Sequence, residues 1–263
     1  ISLGVQSFED DELKMMNRIH NASQGLKAIE WTSKVFDNFS VDLIYGLPQS
    51  NISSWADNLN TLISFKPPHI SSYALTVEPK TLLSYQVEKG KVKLLDEETV
   101  KFQYDLLISK LEKESYINYE FSNFGKFGFH SVNNSNYWSG KPYLGIGPSA
   151  HSFDGNRLRS WNISNNLKYL KSIEKGYLPQ TKEVLKDHEV FNEYVMIGLR
   201  TNGVKIRGVN EYFGSNYVVF LEKQMKKHLL SRSLFWDGDV LKVSRHARFL
   251  TDGIASDLFM LRS

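Results

Sequence analysis

Among the groups that could do chemistry, Asp42 has the most unusual setting. It stands inside Val41 to Pro48, VDLIYGLP, where Val41, Leu43 and Ile44 mark a short buried strand and Gly46 and Pro48 end it. A carboxylate is expensive to bury alone, so Asp42 needs a partner. Two readings fit: a structural acid that caps a loop or pairs with an arginine, or a ligand-facing acceptor at the end of a parallel strand. The histidines offer less. His130 and His151 each lack a second ligating residue at a fixed spacing, and each reads as structural. The glycines of GIGPSAHSF, Gly145 and Gly147, hint at a phosphate loop, but their spacing fits neither the dinucleotide nor the P-loop pattern. Tight turns in an aromatic-rich segment explain them better. The 263 residues contain no cysteine, which excludes disulfides, thiolate metal sites and thiol nucleophiles from this chain.

Composition narrows the class. Apolar residues make up 41% and charged residues 23%, the balance of a globular protein. No apolar run approaches the roughly 20 residues of a membrane helix, and no signal peptide is visible, so the expectation is a cytoplasmic protein without membrane insertion. A net charge of +3 is too weak to argue for nucleic acid. The one basic cluster, Lys223, Lys226, Lys227 and His228, falls late in an expected helix, where cations suit the dipole.

The elements that must position Asp42 follow from apolar periodicity. Strands are expected at 1–8, 39–44 and 69–77. Helices follow them: one through Met16 capped by Asp10 or Asp11, one from Asn21 or Ser23 carrying Leu26, Ile29 and Val35 inward, one from Ser53 with Trp55, Leu59, Leu62 and Ile63 inward, then 81–89, and 96–114. Three strand–helix units imply a parallel sheet with right-handed crossovers, whose functional residues gather at the C-terminal strand ends. Gln6, Asp42 and Ala74 lie toward those ends. The chain opens on a core strand with no lead-in, so an incomplete barrel with its earlier strands upstream is expected. From Tyr116 to Trp161 the texture turns to aromatics, Gly and Asn, reading as short strands and loops, and a helix from Asn165 to Lys175 follows, ending at Gly176. Beyond a boundary near 181–186 come helices at 187–200, 209–213 and 217–230. A hairpin at 234–241 with Asp-Gly at its turn and a last helix at 251–261 complete a winged-helix-like order. No basic recognition face accompanies it. The expected domains are thus 1–115, 116–180 and 181–263.

The ordered motifs SLGVQSF (2–8), NRIH (17–20) and VDLIYGLP (41–48) resemble the radical S-adenosylmethionine family, and within it the oxygen-independent coproporphyrinogen III oxidase group. SYALTVEP (72–79) and YLGIGPSAHSF (143–153) are most similar to its HemW-type haem chaperones. The resemblance covers nearly the whole chain. It implies an α/β fold: the second half of a (β/α)6 TIM-like barrel followed by a mostly helical, winged-helix-like C-terminal domain. It also implies two cofactors, S-adenosylmethionine and a [4Fe–4S] cluster, whose CxxxCxxC thiolates would lie upstream, leaving this chain without metal ligands and inactive alone.

Site roles carry over residue by residue. Gln6 would meet a ribose hydroxyl, Arg18 the methionyl carboxylate, Asp42 the vicinal ribose hydroxyls, and Ala74 the adenine end. Haem enters through the family's HNxxYW motif. Here Asn134, Tyr137 and Trp138 match but Asn133 replaces the histidine, and a carboxamide is a poor iron ligand beside an imidazole. His130, three residues earlier, is the alternative. The implied partners are haem or a porphyrinogen, and respiratory haem proteins as haem acceptors. The resemblance leaves three functions open: haem chaperone, decarboxylating coproporphyrinogen oxidase, or a non-catalytic barrel that binds a protein.

Overall fold

In the computed structural model, which describes residues 1–261, the chain begins with β1 (Ser2–Gln6), α1 (Asp10–Met15) and α2 (Ala22–Val35). Next come β2 (Ser40–Tyr45), α3 (Ile52–Ser64), β3 (His69–Ala74), α4 (Leu82–Glu88) and α5 (Glu97–Lys113), then the short β4 (Ile117–Asn118) and β5 (Asn123–Gly125). The sheet order is β1-β2-β3-β5-β4, with β1, β2 and β3 parallel and β5 antiparallel to both β3 and β4. The expected βα repeats therefore form a parallel sheet.

Side-chain caps start most of these helices. Asn21 accepts from the Gln24 amide and Gln24 returns the bond, and Asn51 and Ser54 repeat that box at α3. Thr81 and Asp96 cap α4 and α5. Asp10 does not cap its own helix. As the first residue of α1 it instead accepts from the Ala22 amide at 2.8 Å, tying α1 to the start of α2. Val35, expected inward, is exposed at the last residue of α2, and β3 stops at Ala74, short of Val77.

Alternation along β2 sends Val41, Leu43 and Tyr45 into a core with Trp55, Leu59 and Leu62 of α3 and Tyr104, Leu107 and Leu111 of α5. Tyr45 lies 5.8 Å from the Trp55 ring and 6.0 Å from Tyr104. Gln103 anchors the turn that ends β2. The Gln103 side chain, fully buried on α5, accepts from the Gly46 amide (2.7 Å) and donates to Ser50 Oγ (2.9 Å), while its main-chain carbonyl accepts from the Trp55 indole N–H.

The chain gathers into two compact units, Ile1–Ser131 and Val132–Ser263. The stretch 116–180, expected as one extension, gives β4 and β5 to the first. To the second it gives α6 (Val132–Trp138), β6 (His151–Phe153), β7 (Leu158–Asn162), α7 (Asn166–Glu174) and the first residue of β8 (Gln180–Val184), with β6-β7-β8 an antiparallel sheet. The second unit continues with α8 (Asp187–Arg200), β9 (Val204–Lys205), α9 (Ile206–Phe213), α10 (Ser215–Leu230), β10 (Leu234–Asp237), β11 (Val240–Val243), a 3₁₀ turn (Arg245–Leu250) and α11 (Thr251–Asp257). β10 and β11 form the expected hairpin, with Gly238 left-handed at its turn, and β9 adds a third strand. The last helix ends at Asp257, before the expected Leu261, and positions 262–263 of the expected third domain lie outside the described residues. Phe191, Val195, Leu221, Leu241 and Leu258 are at the centre of this unit's core. Among the described residues no helix is long and apolar enough to cross a membrane.

Gln103→Leu keeps the volume on α5 but leaves the Gly46 N–H unpaired in the interior. The expected loss of stability is about 2–4 kcal/mol, two lost bonds plus one stranded donor, measured by urea unfolding against the parent chain.

Candidate functional site

The open face of the parallel sheet is built by polar residues at every second position. Val41, Leu43 and Tyr45 turn to the helices, so Ser40 and Asp42 turn the other way. On β3 the register partners of Ser40 and Asp42 are His69 and Ser71. Asp42 is half-buried and anchored at both oxygens: Ser2 Oγ donates to Oδ2 (3.0 Å) and Ser40 Oγ to Oδ1 (3.3 Å). Its partners are thus hydroxyls on its own and the neighbouring strand, and among the described residues no ion pair joins it to Arg18.

Gln6 is brought to the same place by an unusual backbone. It is the last residue of β1, buried, with φ of +70°, a left-handed conformation uncommon outside glycine. The strand register slips between Gly4, the partner of Asp42, and Gln6, the partner of Leu43. The Gln6 amide folds back over Gly4, where an added Cβ would lie 2.7 Å from Nε2. Gly4 is therefore the space that lets an amide donor approach the Asp42 position. Strain of this kind persists where the surroundings impose it, and it collects at ligand sites.

The other two residues expected to hold the cofactor are placed differently. Ala74 is the register partner of Tyr45, on the opposite face from Asp42 at the end of β3. Arg18 is exposed in the turn after α1, its amide bonded to the Leu13 carbonyl.

The sequence reading overlooked three polar groups of the first unit, two on this face and one at the loop leaving β1. His69, buried, has Nδ1 at 2.8 Å from Ser40 Oγ and Nε2 at 2.7 Å from Tyr119 OH. Tyr119 accepts from the Ser131 amide (3.2 Å) and stacks on His130 at 4.2 Å. Burial, with His130 adding to it, pushes the His69 imidazole down to about 4. The third is Glu12. It is buried on α1, accepts a hydrogen bond from the Ser7 hydroxyl, and is held above the usual carboxylate range by desolvation. Ser7 and the Phe8 amide also meet Asn58 Oδ1, at 3.3 and 2.6 Å. The only signal in the sequence was the period-two polar pattern Ser40/Asp42 and His69/Ser71 in strands read as apolar. Among the described residues no group of His, Asp and Glu could hold a metal ion.

In the second unit, α6 carries Asn133, Asn134, Tyr137 and Trp138. Tyr137 meets Tyr143 edge-on at 4.8 Å, and the Arg200 guanidinium lies 5.8 Å from the Trp138 ring. His130 belongs to the first unit, where Tyr119 occupies one face of its ring. The GIGPSAHSF segment is a set of tight turns: Gly147 has φ of +102°, and a Cβ on Gly145 would lie 2.1 Å from the His151 carbonyl oxygen. Buried Asn162 donates to the Gly147 carbonyl at 2.8 Å and holds the turn. Beside it lies a cavity of ≈ 620 Å³ lined by Ser149, His151, Trp161, Tyr177 and Gln180, among others.

Comparison with known proteins gives the wider setting. No protein-family model matches the chain. It is 35% identical over 217 residues to heme chaperone HemW of Bacillus subtilis, covering 81% of this chain and 57% of that protein. It is 31% identical over 211 residues to the mitochondrial radical S-adenosyl methionine domain-containing protein 1 of Danio rerio, covering 76% and 47%. The solved structure of coproporphyrinogen III oxidase (HemN) from Escherichia coli, described as a radical SAM enzyme, matches with a TM-score of 0.79 at 18% identity, over 98% of this chain and 63% of that one. The likeness to that structure is one of fold. The chain spans about half the length of the curated relatives it matches.

The His69 position makes stability depend on pH. Its folded value of about 4 lies below the ordinary 6.5, so between those values the unfolded chain binds a proton that the folded chain refuses. Stability should fall as pH drops through that window, by up to about 3 kcal/mol from this group. His69→Asn should remove this component, so the parent loses more stability than the variant between pH 6.5 and 4 in urea titrations. Glu12, whose raised carboxyl acts in the opposite sense, is common to both proteins and cancels.

Proposed function

This chain belongs to the radical S-adenosylmethionine family, among the HemW and coproporphyrinogen III oxidase-like proteins, and from that premise we propose that it forms the nucleoside-holding half of a cytoplasmic, HemW-type haem chaperone. One observation carries the reading: the Asp42 carboxylate, fixed at both oxygens by serine hydroxyls, stands on the open sheet face beside a strained Gln6. Each carboxylate oxygen keeps a lone pair after its serine bond, so Asp42 can accept from two neighbouring hydroxyls, the arrangement a ribose diol presents. Gln6 offers both an amide donor and a carbonyl acceptor to the same sugar. Ala74, whose side chain turns to the other face, is proposed to meet the adenine end through its main chain at the end of β3, and Arg18 remains the proposed group for the methionyl end.

The donor set decides what the chain can hold. Its oxygen and amide groups fit the nucleoside of S-adenosylmethionine. They do not fit a [4Fe–4S] cluster, because the chain supplies no thiolate. Once bound, S-adenosylmethionine supplies radical chemistry to the family. The residues here bind and orient it. Haem is proposed to meet the aromatic side chains of α6, Tyr137 and Trp138, with respiratory haem proteins as acceptors. The first unit is proposed as the second half of a (β/α)6 barrel, supported by its three parallel strands, and the helices and hairpin of the second as a winged-helix-like domain.

Asp42→Asn keeps the shape and removes the charge from the proposed ribose bonds. Hydrogen bonds to charged groups contribute about 1.5–3 kcal/mol, so S-adenosylmethionine affinity in the full-length protein should fall about ten- to a hundred-fold by calorimetry, with the melting temperature little changed. A large drop in melting temperature at unchanged affinity would make Asp42 scaffold. Anaerobic turnover of coproporphyrinogen III by the cluster-loaded protein would replace the chaperone reading with the oxidase.

A further inference from the structure

The polar face holds a line of groups with a direction. At one end, Asp42 can only accept, so the Ser40 hydroxyl gives its proton to Oδ1. A carboxylate competes for that proton more strongly than a neutral imidazole nitrogen does, because a charged acceptor makes the stronger bond. Ser40 Oγ must then accept from His69 Nδ1, 2.8 Å away, which places the ring proton on Nδ1. Nε2 is left as the acceptor and takes the Tyr119 hydroxyl proton across 2.7 Å. The Tyr119 oxygen in turn accepts from the main-chain N–H of Ser131. Ser71 Oγ, 3.4 Å from Ser40 Oγ, can fill the serine's other lone pair.

We propose that His69 is a positioning residue for Asp42: as its Nδ1–H tautomer it closes a one-way chain of hydrogen bonds running from the Ser131 amide through Tyr119 and Ser40 to the carboxylate. Such chains polarise each member in the same sense, and the low local dielectric strengthens them. The His69 ring must stay neutral for the chain to run. The groups that face it are Asp42 through Ser40 on β2, and Tyr119 with His130 from the segment flanking β4 and β5. Burial and His130 keep it neutral down to about pH 4. The consequence for function rests on the ribose reading of Asp42. Once the Ser40 proton is committed to Oδ1, the carboxylate is fixed in rotation and its remaining lone pairs are aimed off the sheet.

The first test needs neither ligand nor variant. Long-range ¹H–¹⁵N spectra of the cluster-free protein between pH 5 and 8 should show His69 protonated on Nδ1; protonation on Nε2 overturns the proposal. Asp42→Ala frees the Ser40 proton to turn to the ring, so an Nε2–H population should then appear, and its failure to appear likewise overturns it. The third arm titrates S-adenosylmethionine into the full-length protein. His69→Leu should weaken binding about tenfold, while His69→Asn, whose amide nitrogen can stand in for Nδ1–H, should stay within about threefold. In an Asp42→Asn background His69→Leu should add little, and a full additive loss there would show that His69 acts by another route. Should Asp42→Asn alone leave the affinity unchanged, the ribose reading falls, and the two tautomer measurements alone decide the positioning chain.

Discussion

A strand that is covered by helices on one side can carry a carboxylate on the other only if its neighbours supply donors. That constraint organises the first unit. Asp42 sits where β2 has given its alternate side chains to the core, and its stability there depends on hydroxyls placed by register: Ser40 two residues back and Ser2 across on β1. A shift of register by one residue would turn Asp42 into the Tyr45 core and Val41 out of it. The apolar contacts of Tyr45 with Trp55 and Tyr104 thus fix the carboxylate's face as firmly as its own hydrogen bonds do.

Around that strand, single buried amides hold the irregular backbone. Gln103 reaches from α5 to the turn after β2, and Asn162 reaches from β7 to the Gly145–Gly147 turn. Each satisfies main-chain groups that have no ladder partner, which is the general price of burying a turn. Gln6 is the exception that exposes the rule. Its left-handed backbone is imposed by the slip of β1 against β2, and the absence of a Cβ on Gly4 gives its amide somewhere to go.

Local signals made much of the fold legible. Asn21, Thr81, Asp96 and Asn165 announced helix starts that the structure keeps, and Gly238 announced the hairpin turn. The βα repeat gave the parallel sheet. What escaped was non-local. Asp10 serves a neighbouring helix, a role that depends on how α1 and α2 meet. Val35 follows the apolar period yet ends its helix in solvent. The site divided the same way. Asp42 stood out because a charge interrupts an apolar run, whereas the partners of His69 lie 29 and 50 positions away in sequence and only strand register brings them to it. Gln6 was visible as a residue at a strand end, but its left-handed conformation was not, because nothing in its side chain calls for it.

The buried titratable groups of the first unit pull in opposite directions, and the difference separates two kinds of work. Glu12 and His69 are both pushed toward neutrality by desolvation, the carboxyl upward and the imidazole downward. Glu12 meets Ser7 and lies close to Asn58, groups that fix the loop leaving β1. His69 meets Ser40 and Tyr119, groups that lead to a carboxylate on the open face. The first arrangement ends in backbone and is complete in itself. The second ends in the Asp42 carboxylate, whose oxygens each keep an acceptor position beyond their serine bonds, and that spare capacity is what supports the proposed hydroxylated ligand on this face.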